Sequence, residues 1–173
     1  MEPVSEPVSE AGMRGSGPAV GDLRSSDWED TVTTSLTKSL YTARATAHGG
    51  RSGHAVSSDG LLDVDLRPPK EMGGPGGATN PEQLFATGFA ACFQSALAVV
   101  GRRAGVDTSG SSVEADVSIG TIPGGGYGLA VALKITIPGV DRDAARSLTE
   151  AAHKVCPYSN ATRGNIDVTL EVD

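Results

Sequence analysis

Aromatic side chains make up only 4% of the 173 residues, and cysteine occurs just twice. With so few rings, a core has to be built from Val, Leu, Ile and Ala, with backbones approaching closely where Gly replaces bulk. There is no Cys-x-x-Cys pair, which argues against a thioredoxin-type dithiol. Cys92, Cys156, His48, His54 and His153 do not make up the two closely spaced ligand pairs of a zinc finger, which argues against a metal site of that kind. Basic stripes and RNA-reading aromatic motifs are missing as well, so a nucleic-acid partner is not expected. The N-terminus opens on acids and prolines rather than on a basic segment followed by an apolar one, so no secretory signal is expected. The most apolar stretch, residues 84–100, contains Thr87, Gln94 and Ser95 and falls a little short of a bilayer span. It reads as a buried helix of a soluble protein, with no membrane partner. Two cysteines without an export signal point to a reducing, cytoplasmic compartment, where a Cys pair is more often redox-active than a permanent staple.

The length suits one ordinary core. The net charge of -7 is uneven, because residues 1–36 hold seven acids against two bases. That segment carries a tandem repeat, Glu2-Pro3-Val4-Ser5 then Glu6-Pro7-Val8-Ser9, and no apolar period. It is expected to be a disordered acidic extension, with the folded domain over residues 37–173.

From Leu40 the pattern changes. Tyr41, Ala43 and Ala45 alternate with polar neighbours, and short runs at 54–57 and 62–66 follow Gly-containing turns, which predicts a meander. Gly73-Gly74-Pro75-Gly76-Gly77 lacks the ending of a phosphate-binding loop and reads as a flexible connector. Asn80-Pro81-Glu82-Gln83 has the grammar of a helix start, with Asn as N-cap and Pro at the first position, and the helix should run to about Arg103. Alternating apolar residues over 113–119 and 129–137 predict a hairpin around Pro123 to Gly126. Asp141 is positioned to cap a second helix ended by Pro157, and Ile166, Val168, Leu170 and Val172 make a last strand. The order indicates an α+β fold with helices packed on antiparallel sheet.

On the first helix Phe85, Phe89, Cys92 and Ala96 share one face, so the thiol lies beside two rings. A buried cysteine is often a small core hydrophobe, and that reading stays open for both thiols. Cys92 sits mid-helix, where the macrodipole helps little, so a low thiol pKa needs a cation from elsewhere in the fold. Arg51, in a glycine-rich turn between strands, is a candidate, although an arginine there can also be simple surface decoration.

Two stretches carry a family resemblance. Thr79-Asn80-Pro81-Glu82-Gln83-Leu84-Phe85, running on to Ala91-Cys92-Phe93, is one. Val155-Cys156-Pro157-Tyr158-Ser159-Asn160-Ala161-Thr162-Arg163-Gly164-Asn165 is the other and the more specific. With Gly49-Gly50-Arg51 and Ser57-Ser58-Asp59-Gly60, they resemble the organic hydroperoxide resistance (Ohr) branch of the OsmC/Ohr family over residues 38–173. The resemblance implies antiparallel sheets packed around long central helices in an intertwined homodimer. It implies a cytoplasmic peroxidase of alkyl and fatty-acid hydroperoxides, with no bound cofactor and with dihydrolipoamide or a lipoylated protein as electron donor. Cys92 matches the family's reactive cysteine, Cys156 the resolving one, and Arg51 and Glu82 its arginine and glutamate pair. The N-terminal extension has no counterpart, and nothing is carried onto it.

These roles make physical sense. A guanidinium near sulfur favours thiolate, lowering the pKa from about 8.5, and also meets charge developing on the peroxide. Glu82 can hold Arg51 by a bidentate fork. Ten residues of helix separate Glu82 from Cys92 by about 15 Å, so the two meet either through Arg51 or across a subunit interface. Phe85, Phe89, Phe93, Leu84 and Met72 could line an apolar substrate path or could be plain core. Two rival readings keep the same fold: an OsmC-branch peroxidase, and a non-catalytic module that binds a lipid-like ligand or senses redox state.

Overall fold

The computed structural model describes residues 35–173, and the acidic extension expected over residues 1–36 lies outside that range but for Ser35 and Leu36. Among the described residues, every regular element falls within the compact unit Ala43–Asp173.

Three short strands come first: β1 (Ala45–His48), β2 (His54–Ser57) and β3 (Asp63–Asp65). They form the expected antiparallel meander, with Ala47 opposite Ala55 and Ala55 opposite Val64. The first strand begins at Ala45, so Tyr41 and Ala43 precede it. After β3, Leu66 bridges to Thr79 in parallel, and the Arg67 N–H donates to the Thr79 carbonyl at 2.9 Å. This pins the end of the meander to the start of the long helix.

The glycine run at 73–77, expected as a flexible connector, is instead a closed turn. The N–H groups of Gly74 and Gly76 donate to the carbonyls of Pro69 and Pro68 at 3.0 and 3.1 Å. Two prolines supply carbonyls but no competing N–H, which leaves the glycines as the donors.

Helix α1 spans Pro81–Ala104, and the Asn80 side chain accepts from the Gln83 N–H at 2.9 Å, the N-cap that the sequence indicates. At 24 residues it is long and apolar enough to cross a bilayer by length and composition, which residues 84–100 alone did not reach. Here Phe89, Phe93, Leu97 and Val100 are instead buried in the core. Each such burial is worth about 1.5–3 kcal/mol.

The second sheet has the order β4-β5-β6, from β4 (Ser112–Thr121), β5 (Tyr127–Thr136) and β6 (Val168–Val172). The hairpin β4–β5 is antiparallel as expected, with Val117 opposite Val131. β6, however, lies parallel to β5, with Leu133 opposite Leu170, so this sheet is mixed rather than purely antiparallel. The reason is topological: the helical crossover between β5 and β6 returns the chain to the same end of the sheet. Val131, Leu133 and Ile135 face the helices, whereas Glu114, Lys134 and Glu171 form a cross-strand charge row on the other face.

That crossover holds α2 (Arg142–Val155), capped by the Asp141 side chain accepting from Ala144 N–H at 3.0 Å, and a short α3 (Pro157–Thr162). The sequence reading has Pro157 only as a stop. Proline is equally suited to the first position of a new helix, and Pro157 does both. The result is α1 and α2 packed on one sheet, with α3 closing over the middle of α1.

Candidate active site

The side chains singled out from sequence fall into two groups along α1. The first lies at its N-terminal end. His48 to Gly53 turns so tightly that a Cβ on Gly53 would fall 1.7 Å from the His48 carbonyl oxygen, so only glycine fits. The Gly53 carbonyl in turn accepts from Leu66 N–H at 2.8 Å, and Leu66 is bridged to Thr79 beside the α1 cap. This chain of contacts delivers Arg51 to Glu82 on the first turn of α1. Arg51 Nη1 donates to Glu82 Oε2 at 2.8 Å, and Nη2 donates to Oε1, completing a bidentate pair. The Arg51 hydrogen bond holds the Glu82 carboxyl below the usual carboxylate range, against a smaller opposing effect of burial. Arg51 is raised by the same bond.

The second group lies mid-helix. Cys92 on α1 is partly buried, and Cys156, at the junction of α2 and α3, is fully buried. Their thiols meet: Cys156 Sγ donates to Cys92 Sγ at 3.6 Å. A disulfide bond is about 2.05 Å long, so small movements suffice to join them. Both are free thiols in this structure.

The segment after Cys156 is built to hold that sulfur. Arg163 reaches back to donate to the His153 carbonyl at 2.6 Å and to Asn160 Oδ1 at 2.8 Å, tying α3 to the end of α2. Thr162 Oγ1 donates to the Tyr158 carbonyl at 2.8 Å. Burial, helped by the charge of Arg163, pushes His153 down. None of these bonds could be foreseen from apolar periodicity, since the segment has none.

Tyr158 is the site residue to which sequence reasoning assigned no role. Its ring packs against Phe85 and Phe89 at centroid distances of 5.8 and 5.6 Å, and its backbone N–H favours the Cys92 thiolate. The ring crosses α1 at Gly88, where an added Cβ would come within 3.0 Å of the hydroxyl. A small residue one turn before the cysteine was the available signal.

One open alternative is narrowed and one expectation is corrected. Burial, the largest effect, pushes the Cys92 thiol up, and no cation among the described residues offsets it. Arg51 is committed to Glu82 at the far end, so within one chain it does not lower that pKa. Secondly, Phe89 and Phe93 are fully buried core residues and offer no wall to a substrate path. Phe85 does line an open groove, together with Arg51 and Glu82, and Met72 lines a neighbouring one with Glu82. A third cleft, of about 480 Å³, opens directly on Cys92. Among the described residues no cluster of three His, Cys, Asp or Glu side chains could hold a metal ion.

A pair of thiols poised for joining, on an α+β scaffold of one long helix over a mixed sheet, defines a class, and the OsmC-like protein family model matches residues 74–171. The organic hydroperoxide resistance protein of Xanthomonas axonopodis pv. citri is 56% identical over 135 residues, 77% of this chain and 94% of that protein. Bacillus subtilis OhrB is 47% identical over 136 residues, 77% of this chain and 98% of its own length. Among solved structures, that of an organic hydroperoxide resistance protein OsmC from Legionella pneumophila superposes with a TM-score of 0.76 at 51% identity, covering 79% of this chain and 99% of that one. The chain belongs to the OsmC/Ohr family.

Proposed function

We propose that this chain is a thiol-dependent peroxidase that reduces organic hydroperoxides to alcohols, and so provides the organic hydroperoxide resistance for which its relatives are named. The observation that carries the proposal is the 3.6 Å approach of the Cys92 and Cys156 sulfurs. The Cys92 thiolate attacks the terminal peroxide oxygen. An S–O bond forms as the O–O bond breaks, and the departing alkoxide takes a proton to become the alcohol. Cys92 is thereby oxidised by two electrons to a sulfenic acid. Cys156 attacks that sulfur, hydroxide leaves as water, and a Cys92–Cys156 disulfide results. An external dithiol restores both thiols, and we assign this role to dihydrolipoamide or a lipoylated protein. A reducing cytoplasm suits two free thiols of this kind.

The catalytic cation comes from a second copy of the chain. Arg51 and Glu82 sit about 15 Å along α1 from Cys92, too far to serve their own thiol. Thr87 and Ala91 form an exposed small-residue pair one turn apart along α1, suited to close helix contact. Antiparallel packing of two α1 helices, crossing near Thr87 and Gly88, brings the Arg51–Glu82 pair of one copy to Cys92 of the other. There the guanidinium favours thiolate and meets the charge growing on the departing oxygen. Glu82 prevents it from swinging away.

Steady-state turnover of tert-butyl hydroperoxide with dihydrolipoamide tests the proposal. The wild type should turn over continuously and Cys92→Ser should not. A wild-type protein that binds hydroperoxide without consuming it is a binder and not an enzyme.

A further inference from the structure

The cleft that opens on Cys92 runs along α1 away from the proposed helix crossing. Ala96 and Val99 form one wall and Val155 and Pro157 the other, all apolar, and Val155 is 42% exposed. Ser95, the polar residue at its rim, already donates to the Ala91 carbonyl at 2.8 Å. Arg103, in the last turn of α1, lines its far end. Eleven residues of helix place Arg103 about 16 Å from Cys92 along the axis. No carboxylate of the described residues pairs with it. Arg102, its neighbour, serves the helix end equally well but does not line the cleft.

We infer that Arg103 is a specificity-determining residue: it receives the carboxylate of a substrate whose acyl chain lies in the apolar cleft with its hydroperoxide at Cys92. The inference rests on the peroxidase reading but assigns a subsite that the chemistry at sulfur does not require. Apolar walls fix the chain by burial, and a planar guanidinium is suited to a carboxylate head. A volume of about 480 Å³ accommodates a single extended chain.

The test compares kcat/KM for linoleic acid hydroperoxide and for its methyl ester, which removes the charge and keeps the chain. In Arg103→Ala the acid-to-ester ratio should fall about tenfold at low salt, the effect of one charged hydrogen bond, and by less as ionic strength rises. Arg102→Ala should keep the wild-type ratio. An unchanged ratio in Arg103→Ala overturns the subsite, as does an equal fall in Arg102→Ala, which would mean general surface attraction. If the wild type consumes no hydroperoxide at all, the peroxidase reading fails by itself. Calorimetric binding of dodecanoate and dodecanol then decides Arg103: a weakening confined to dodecanoate in Arg103→Ala supports it, and equal binding by the two proteins overturns it.

Discussion

Cys92 and Cys156 are sixty-four positions apart in sequence, and their sulfurs lie 3.6 Å apart in the fold. One comes from the middle of a helix packed on a sheet, the other from a junction between two helices. They meet because α3 folds back across α1, held by the ring of Tyr158 over Gly88 and by Arg163 against the end of α2.

Removing the second thiol should separate the two half-reactions. Cys156→Ser is expected to consume one equivalent of hydroperoxide and then stall, with steady turnover down at least about a hundredfold. Mass spectrometry after dimedone treatment should find the adduct on Cys92, and excess peroxide should drive that sulfur on to sulfinic acid.

Loss of Arg51 should cost activity without unfolding the protein, since the turn that carries it is largely exposed. Arg51→Ala is expected to lose about a hundredfold in kcat/KM, the usual effect of deleting one donor to a developing oxyanion. Arg51→Lys should recover little of it, because an ammonium cannot form the fork to Glu82.

The two titrations run in opposite directions. Burial raises the Cys92 thiol in a single chain, and the proposed mechanism requires a partner's guanidinium to bring it back down. If the proposed dimer forms, thiol alkylation followed against pH should inflect lower in the wild type than in Arg51→Ala, or in Ala91→Arg, which places a charge on the proposed helix contact. Equal inflections in all three would remove the partner-supplied cation.

Glu82 titrates the other way. Its folded carboxyl is held down by Arg51, so the pair contributes stability above the ordinary carboxylate pKa and loses it as pH falls through the depressed value. Unfolding midpoints measured from pH 6 down to pH 2 should show a smaller acid loss in Glu82→Gln, the difference growing below about pH 4.

Tyr158→Ala should destabilise the domain by about 1–2 kcal/mol, less than full core truncation because the side chain is partly exposed. Its sharper effect should be on the rate of disulfide formation after the first turnover, measured by quenched alkylation, because α3 loses its anchor on Phe85 and Phe89.

Where structure is set by neighbours in sequence, the sequence is readable. Asn80 and Asp141 cap their helices through bonds to residues three positions on, and the hairpin pairs strands of alternating pattern, so both could be foreseen. The Arg51–Glu82 fork and the Cys92–Cys156 approach span the fold, and no local pattern encodes them; it was the family resemblance that indicated both pairings. Three features were hidden for physical reasons. Pro157 ends one helix and starts another, and propensity alone registers only the first. The parallel pairing of β6 depends on where the crossover delivers the chain. Phe85, Phe89 and Phe93 look alike on a helical wheel, and only the packing of the sheet and of Tyr158 separates buried core from groove wall.

The most direct measurement is a peptide map after one equivalent of cumene hydroperoxide has been added to the reduced wild-type protein. We expect a single new species in which the peptides bearing Cys92 and Cys156 are joined, formed in proportion to the alcohol released. Alcohol formation with both thiols still free, or Cys92 left unmodified while peroxide persists, would contradict the dithiol mechanism.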